Sequence, residues 1–143
     1  MIRALMEESL VLLKPDCLES RKCGEVLKRF EEAGFAVFGV KMMRLSDEIL
    51  REHYAHLTEL PFFPEIQGFM QSSPVVAIAL RGENGIARIR EMVGPTDSTV
   101  AEKGTLRGDF GQDKMKNVVH ASDSVENGQA ELKRFFGEGE LFG

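Results

Sequence analysis

Pro74-Val75-Val76-Ala77-Ile78-Ala79-Leu80 is apolar from end to end. A run this short, without polar alternation, reads as a strand covered on both faces, so it belongs in the middle of a sheet. Helical patterns flank it. After it, Glu83–Val93 gathers Ile86, Ile89 and Val93 into one arc at about 100° per residue, with Arg90 inside that arc and Arg88 on the far side. Arginine on an apolar face is costly unless it meets an acid or a phosphate, or keeps its head in water, which makes Arg90 the more informative of the two. Before it, residues 65–71 read as a short helix, and Pro61-Phe62-Phe63-Pro64 breaks the helical pattern. Two rings held between prolines either plug the core or present one face for stacking.

Further toward the N-terminus, Ser46 caps a helix with Asp47 and Glu48 in its first turn, where the helix dipole favours them. This helix carries His53, Tyr54 and His56. The two histidines, three apart, are able to share a face as metal ligands, although no further Cys or His completes a closed site. Residues 35–43 form a second strand. Residues 24–34 form a helix whose Val26, Leu27 and Phe30 share a face and whose Gly34 is a suitable stop. The apolar run Ser9–Leu13 is a further buried strand. It ends at Lys14-Pro15-Asp16, where Pro15 stops regular pairing. Lys14 therefore sits at a strand end, with its ammonium either reaching into a cleft or solvated.

Beyond the second helical pattern, residues 94–116 show little periodicity. A stretch of this length is a functional loop or a flexible surface loop. It holds Thr96 and Gly104-Thr105-Leu106-Arg107-Gly108-Asp109-Phe110-Gly111, where glycines near Arg107 let backbone approach a ligand. Asn117-Val118-Val119-His120 follows as a short strand. Strict alternation would put Asn117 and His120 on opposite faces, so serving one site requires a turn between them. Ser124 then caps a last helix with Val125, Leu132, Phe135 and Phe136 in its apolar arc and Glu131 at the arc's edge. Gly128 costs that helix about 1 kcal/mol relative to Ala. Residues 1–8 and 137–143 are expected to be mobile ends.

Strands thus alternate with helices along one domain, residues 1–143. A ferredoxin-like βαββαβ core fits: a four-stranded antiparallel sheet covered by helices, with a long loop insertion at about 94–116. Hydrophobic residues make up 43% and charged residues 29%, a globular balance. The net charge of −5 and a single Tyr with no Trp argue against a nucleic-acid or membrane-surface binder, so a phosphate-bearing ligand must be held by a few local cations. Cys17 and Cys23 fit neither a redox motif nor a zinc pattern and read as free thiols in a reducing compartment, the cytoplasm. No run approaches membrane-spanning length.

The chemistry concentrates at Asn117-Val118-Val119-His120-Ala121-Ser122-Asp123-Ser124. A His ends an apolar run, small polar residues follow, and the Glu131 carboxylate lies further on. These are the parts of an activated nucleophile and equally of a structural His before a helix cap. Neither GxxxxGK[ST] nor GxGxxG is present. Lys14, Arg90, Thr96 and Arg107 are the available phosphate contacts.

Taken together, Lys14-Pro15-Asp16, His53-Tyr54, Pro61-Phe62-Phe63, Ser73-Pro74-Val75-Val76, Arg107-Gly108-Asp109-Phe110-Gly111 and the segment Asn117–Ser124 resemble nucleoside diphosphate kinase, in order and spacing, from about Ser9 to Phe136. The resemblance implies Mg²⁺-dependent, ping-pong transfer of the terminal phosphoryl group from a nucleoside triphosphate such as ATP to a nucleoside diphosphate. The carrier would be a phosphohistidine on His120, with little base selectivity. It implies that Phe62 stacks on the base, that Arg90, Thr96 and Arg107 contact phosphate, and that Lys14 serves the ribose 3′-hydroxyl and the transferred phosphate. Asn117 would contact ribose, and Tyr54, Glu131 and Ser122 would support the nucleophile. The metal would be held mainly by substrate oxygens and water. It also implies a homo-oligomer, a tetramer or hexamer built from dimers. Four positions depart from the family pattern. Cys17 and Ala121 stand where Gly is common, Lys114 stands where an apolar residue is common against the base, and Ser98 stands where a proline supports subunit contacts.

Overall fold

The computed structural model describes residues 5–143. Four strands, β1 (Met6–Leu13), β2 (Ala36–Met43), β3 (Val75–Glu83) and β4 (Val119–Ala121), form one sheet in the order β2-β3-β1-β4. Every pairing is antiparallel, with Leu10 opposite Ala79 in the central pair and Leu12 opposite His120 at the β4 edge. This is the expected ferredoxin-like arrangement, with the apolar run of β3 inside the sheet.

Among the described residues seven α-helices accompany the strands: α1 (Pro15–Glu19), α2 (Cys23–Glu32), α3 (Asp47–His53), α4 (Phe63–Met70), α5 (Gly85–Val93), α6 (Leu106–Phe110) and α7 (Val125–Phe135). The central strands are apolar on both faces because both faces are covered. Val11, Leu13, Ile78 and Leu80 pack with Phe30, Ile89 and Val93 on one side, and Leu10, Leu12, Ala77 and Ala79 pack with Leu50, Met70, Leu132 and Phe135 on the other. Each fully buried Leu or Phe contributes about 1.5–3 kcal/mol relative to exposure.

The short elements differ most from the sequence expectations. Pro15 ends β1 and also opens α1, because its fixed φ and missing N–H suit the first helical position. The 94–116 insertion contains a 3-10 turn (Ser98–Val100) and α6, whose N-cap Thr105 accepts a hydrogen bond from the Gly108 N–H. A five-residue helix is too short to show a 3.6-residue period. Pro64 does not keep the chain from helix: α4 begins at Phe63 with proline in its first turn. Val125 is 47% exposed rather than part of the α7 core face, because it is the first residue of the helix.

Residues 6–8 begin β1, while the expectation of mobility for residues 1–4 lies outside the described residues. At the other end, the Phe142 N–H donates to the Phe38 carbonyl at 2.8 Å, and Lys41 pairs with Glu140 at 2.8 Å, so residues 137–143 lie along β2. Gly128 is required by packing: a Cβ there would stand 2.7 Å from the Glu8 carbonyl oxygen, so its hydrogen lets α7 lie close on β1.

Candidate active site

The end of β1, the β4 edge, α3, α4 and the 94–116 segment enclose a cleft of about 960 Å³. Lys14, Tyr54, Phe62, Arg90, Thr96, Arg107, Asn117, His120 and Glu131, all singled out from sequence, line it. Ser122 lies beneath its floor, fully buried.

The turn between Asn117 and His120 is present. Val118 has φ +62°, and the Val119 N–H donates to the Asn117 carbonyl at 2.8 Å, which closes a three-residue turn. A β-branched residue in this region stores on the order of 1–3 kcal/mol and persists only when its surroundings hold it. They do. The Lys14 N–H donates to the Val118 carbonyl at 2.8 Å, and the Val118 N–H donates to Asp16 Oδ2 at 3.0 Å. The junction of β1 and α1 thus clamps the turn, and the turn delivers Asn117 and His120 to one cleft. Ala121, by contrast, is an ordinary strand residue paired with Val11 and carries no positive φ.

Lys14 is only 8% exposed. Its Nζ donates to the Met115 carbonyl at 2.6 Å and to Asn117 Oδ1 at 2.8 Å, and burial pulls its pKa down to about 8. Asn117 Nδ2 donates to the Thr96 and Lys114 carbonyls, tying the insertion to the site. Arg107 donates to the Gly94 carbonyl at 3.1 Å and the Val119 carbonyl at 2.7 Å, and its Nε has no partner. Burial, then the neighbouring Arg90 guanidinium, lower its pKa to about 10. Arg90 does not lie in the apolar core of α5. It is exposed, and its side chain lines the cleft. Arg88 instead donates to the Glu83 and Ala33 carbonyls and lies over the Phe35 ring. Two guanidiniums and a buried ammonium, none in a salt bridge among the described residues, make an anion site. At the outer end Phe62 is 48% exposed, whereas Phe63 is buried and plugs the core.

His120 Nε2 lies 3.2 and 3.1 Å from the two Glu131 oxygens. Ser122 Oγ donates to Glu131 Oε1 at 2.6 Å and accepts from the Leu10 N–H at 3.0 Å. Burial alone would raise the Glu131 carboxyl. The His120 bond and charge, the Ser122 hydroxyl and His53 outweigh it and hold the group below the usual carboxylate range. An ionised carboxylate only accepts, so Nε2 carries the ring proton and Nδ1 carries the lone pair.

Under His120 sits His53, which the sequence reading placed with His56. His56 is exposed on the following 3-10 turn, and the rings of His53 and His120 pack edge to face with centroids 4.6 Å apart. Burial, followed by the His120 charge, drives the His53 pKa down to about 3, so its ring is neutral. Arg134 donates to its Nδ1 at 3.1 Å. His53, His120 and Glu131 offer ligand atoms within 4.8 Å of one another, but the Arg134 cation already occupies the His53 lone pair, so the set does not suit a metal. Tyr54 packs against His53, and burial, with the Glu131 charge, pushes its phenol up to about 12. Sequence reasoning missed the structural parts played by Asp16, His53 and Arg134. The legible signal was the Leu50/His53 spacing, which puts His53 on the buried face of α3.

An imidazole whose Nδ1 carries a lone pair, three cations and an exposed aromatic ring in one cleft suit a phosphorylated ligand carrying a planar group. Comparison with known proteins decides the class. A family model described as nucleoside diphosphate kinase matches residues 7–141.

The chain belongs to the nucleoside diphosphate kinase family.

The nucleoside diphosphate kinase of Rhodopirellula baltica is 45% identical over 136 residues, covering 95% of this chain and 90% of the relative. Among solved structures, the nucleoside diphosphate kinase of Aquifex aeolicus superposes with a TM-score of 0.91 at 44% identity, covering 96% of this chain and 99% of that one. The halophilic nucleoside diphosphate kinase of Halobacterium salinarum, in complex with CDP, gives 0.93 at 34% identity, covering 97% and 93%. As a nucleoside diphosphate kinase the chain is a nucleotide-binding phosphotransferase. No helix among its described residues is long and apolar enough to cross a membrane.

Proposed function

We propose that the chain moves the terminal phosphoryl group of a nucleoside triphosphate to a nucleoside diphosphate in two half-reactions through a phosphohistidine on Nδ1 of His120. The observation that carries this reading is the Glu131 carboxylate on Nε2, which leaves Nδ1 with a lone pair and needs no general base. In the first half-reaction Nδ1 bonds to the terminal phosphorus while the bond from that phosphorus to the bridging oxygen breaks, and the nucleoside diphosphate leaves. The positive charge gained by the ring is met by Glu131, itself held by Ser122. In the second half-reaction a terminal oxygen of the acceptor diphosphate attacks phosphorus and the P–N bond breaks. Lys14, Arg90 and Arg107 neutralise the phosphate oxygens, and Thr96 adds a hydroxyl. Phosphoryl transfer asks for little more than such positioning and charge.

Lys14 and Asn117, already bonded to each other, take the ribose hydroxyls, and Phe62 stacks on the base. Stacking reads a π-face, so purines and pyrimidines are both accepted. Mg²⁺ fits this donor set only through substrate oxygens and water. Glu131 is committed to His120, so the ion would be held mainly by substrate oxygens and water rather than by this chain's carboxylates. When bound, the ion neutralises charge on the phosphates. The chain works in the cytoplasm as an oligomer of dimers, tetrameric or hexameric. The two free thiols support the first statement.

The test is incubation with γ-labelled ATP and Mg²⁺. Expected is one acid-labile, base-stable label per cleft, discharged by any nucleoside diphosphate, and none in folded His120→Ala. Nucleotide binding without label would turn the reading toward a regulator, and turnover in His120→Ala would reject the nucleophile.

A further inference from the structure

The link between α1 and α2 brings together two sulfurs that the proposed phosphoryl transfer does not use. The Ser20 N–H donates to the Asp16 carbonyl at 3.0 Å, the Arg21 N–H to the Leu18 carbonyl at 3.1 Å, and the Lys22 N–H to the Cys17 carbonyl at 3.1 Å. Arg21 itself takes φ +60°, which turns the chain sharply. The result sets Cys17 Sγ 3.9 Å from Cys23 Sγ, with Cys17 fully buried and Cys23, the first residue of α2, partly exposed. Sulfurs 3.9 Å apart on a fixed turn stand close enough for the side chains to close toward the ~2.05 Å of a bond.

We propose that Cys17 and Cys23 form a redox modification site, a thiol pair that hydrogen peroxide converts to an intramolecular disulfide. The partly exposed Cys23 sulfur attacks the O–O bond, giving a sulfenic acid and one water. The Cys17 sulfur then attacks Cys23 Sγ, the S–O bond breaks, and the second water leaves with the Cys17 proton. Two thiols lose two electrons and one peroxide becomes two waters. The division of labour follows from the surroundings. The S–H···S contact with Cys17 holds the Cys23 thiol below its ordinary range, whereas that same contact and burial push Cys17 up. Thiolate character and access select Cys23 as the first to react, and a neighbouring thiol then intercepts the sulfenic acid before further oxidation. In a reducing compartment the bond is transient.

The experiment treats the whole reduced protein with hydrogen peroxide, caps remaining thiols with N-ethylmaleimide and digests with trypsin, which cuts after Arg21 and Lys22. Expected is a cross-linked pair joining the Cys17 peptide to the peptide that begins at Cys23, two hydrogens lighter than the reduced pair and lost on adding dithiothreitol. Cys23→Ser, at a partly exposed site that keeps the core intact, gives no cross-link and leaves Cys17 reduced. Cys17→Ser lets Cys23 run on to sulfinic acid. Wild-type protein in which Cys23 reaches sulfinic acid, or joins a second chain, while Cys17 remains capped by maleimide would overturn the proposal.

Discussion

At the scale of single residues, burial tunes the basic groups of this cleft. Lys14 shows it directly. Its ammonium is held by two oxygen acceptors but desolvated, with a pKa of about 8. The second-order rate constant reports the free enzyme. As pH rises through about 8 the folded protein loses this cation, so kcat/KM for a nucleoside diphosphate should fall by up to about tenfold per pH unit. Lys14→Arg should carry the limb upward, toward the next cation, Arg107, held near 10. A wild-type profile flat to pH 9.5 would remove Lys14 from phosphate binding. His53 gives the opposite signature. Its folded pKa of about 3 lies below the ordinary ~6.5, so the unfolded chain binds the proton first. Its contribution to stability is complete above pH 6.5 and is lost as pH falls toward 3, on the order of a few kcal/mol. Urea midpoints measured from pH 7 to pH 4 should therefore drop more steeply for wild type than for His53→Gln, which keeps an acceptor for Arg134 but does not titrate.

Among the elements, α7 decides how well the proposed nucleophile is held, because it carries Glu131 three residues after Gly128, which lies against the Glu8 carbonyl of β1. Ala at 128 would gain about 1 kcal/mol of helix propensity. It would also press a Cβ to 2.7 Å from the Glu8 carbonyl, and backbone yields less easily than a side-chain tip. The expected net effect of Gly128→Ala is a loss of about 1–3 kcal/mol in urea unfolding, with a lower kcat as Glu131 shifts against His120. A gain in stability would mean that α7 rides freely on the sheet. The same element marks how far the sequence could be read. Ser124 as cap and Leu132 and Phe135 as core followed from period and cap chemistry, as did the apolar β3, whereas period placed Glu131 only at the edge of the arc and its part beside His120 came from the family resemblance. The strained Val118 turn was inferable only on the condition that Asn117 and His120 serve one site. Its clamp by Lys14 and Asp16 was not, because those contacts span about a hundred residues. The five-residue α1 and α6 were hidden for a different reason: they are shorter than two helical periods. Gly128 read as a cost because its partner is on another element.

For the whole molecule, a net charge of −5 surrounds a cleft whose central side chains are cationic, so nucleotide binding is local rather than a property of the overall field. The remaining question at this scale is what covers the outer strand. β2 ends the sheet, and its Val40 and Met42, two apart and therefore on one face, are 51% and 66% exposed. Lys41 between them is tied to Glu140, and the tail meets the edge at Phe38, upstream of the apolar pair. Isolated monomers blunt such an edge with charge or proline, and an apolar pair left on it favours contact with a second copy. Sedimentation of the wild-type protein should therefore give a mass several times that of one chain. Met42→Lys, a solvated charge on that face at a residue that does not line the cleft, should move the distribution toward smaller species while leaving phosphoenzyme formation intact. A wild-type protein that sediments as a monomer would show that Val40 and Met42 face water. A variant that stays fully assembled would move the contact off β2 and onto another surface, of which the exposed Val100 beside Ser98 is the next to substitute.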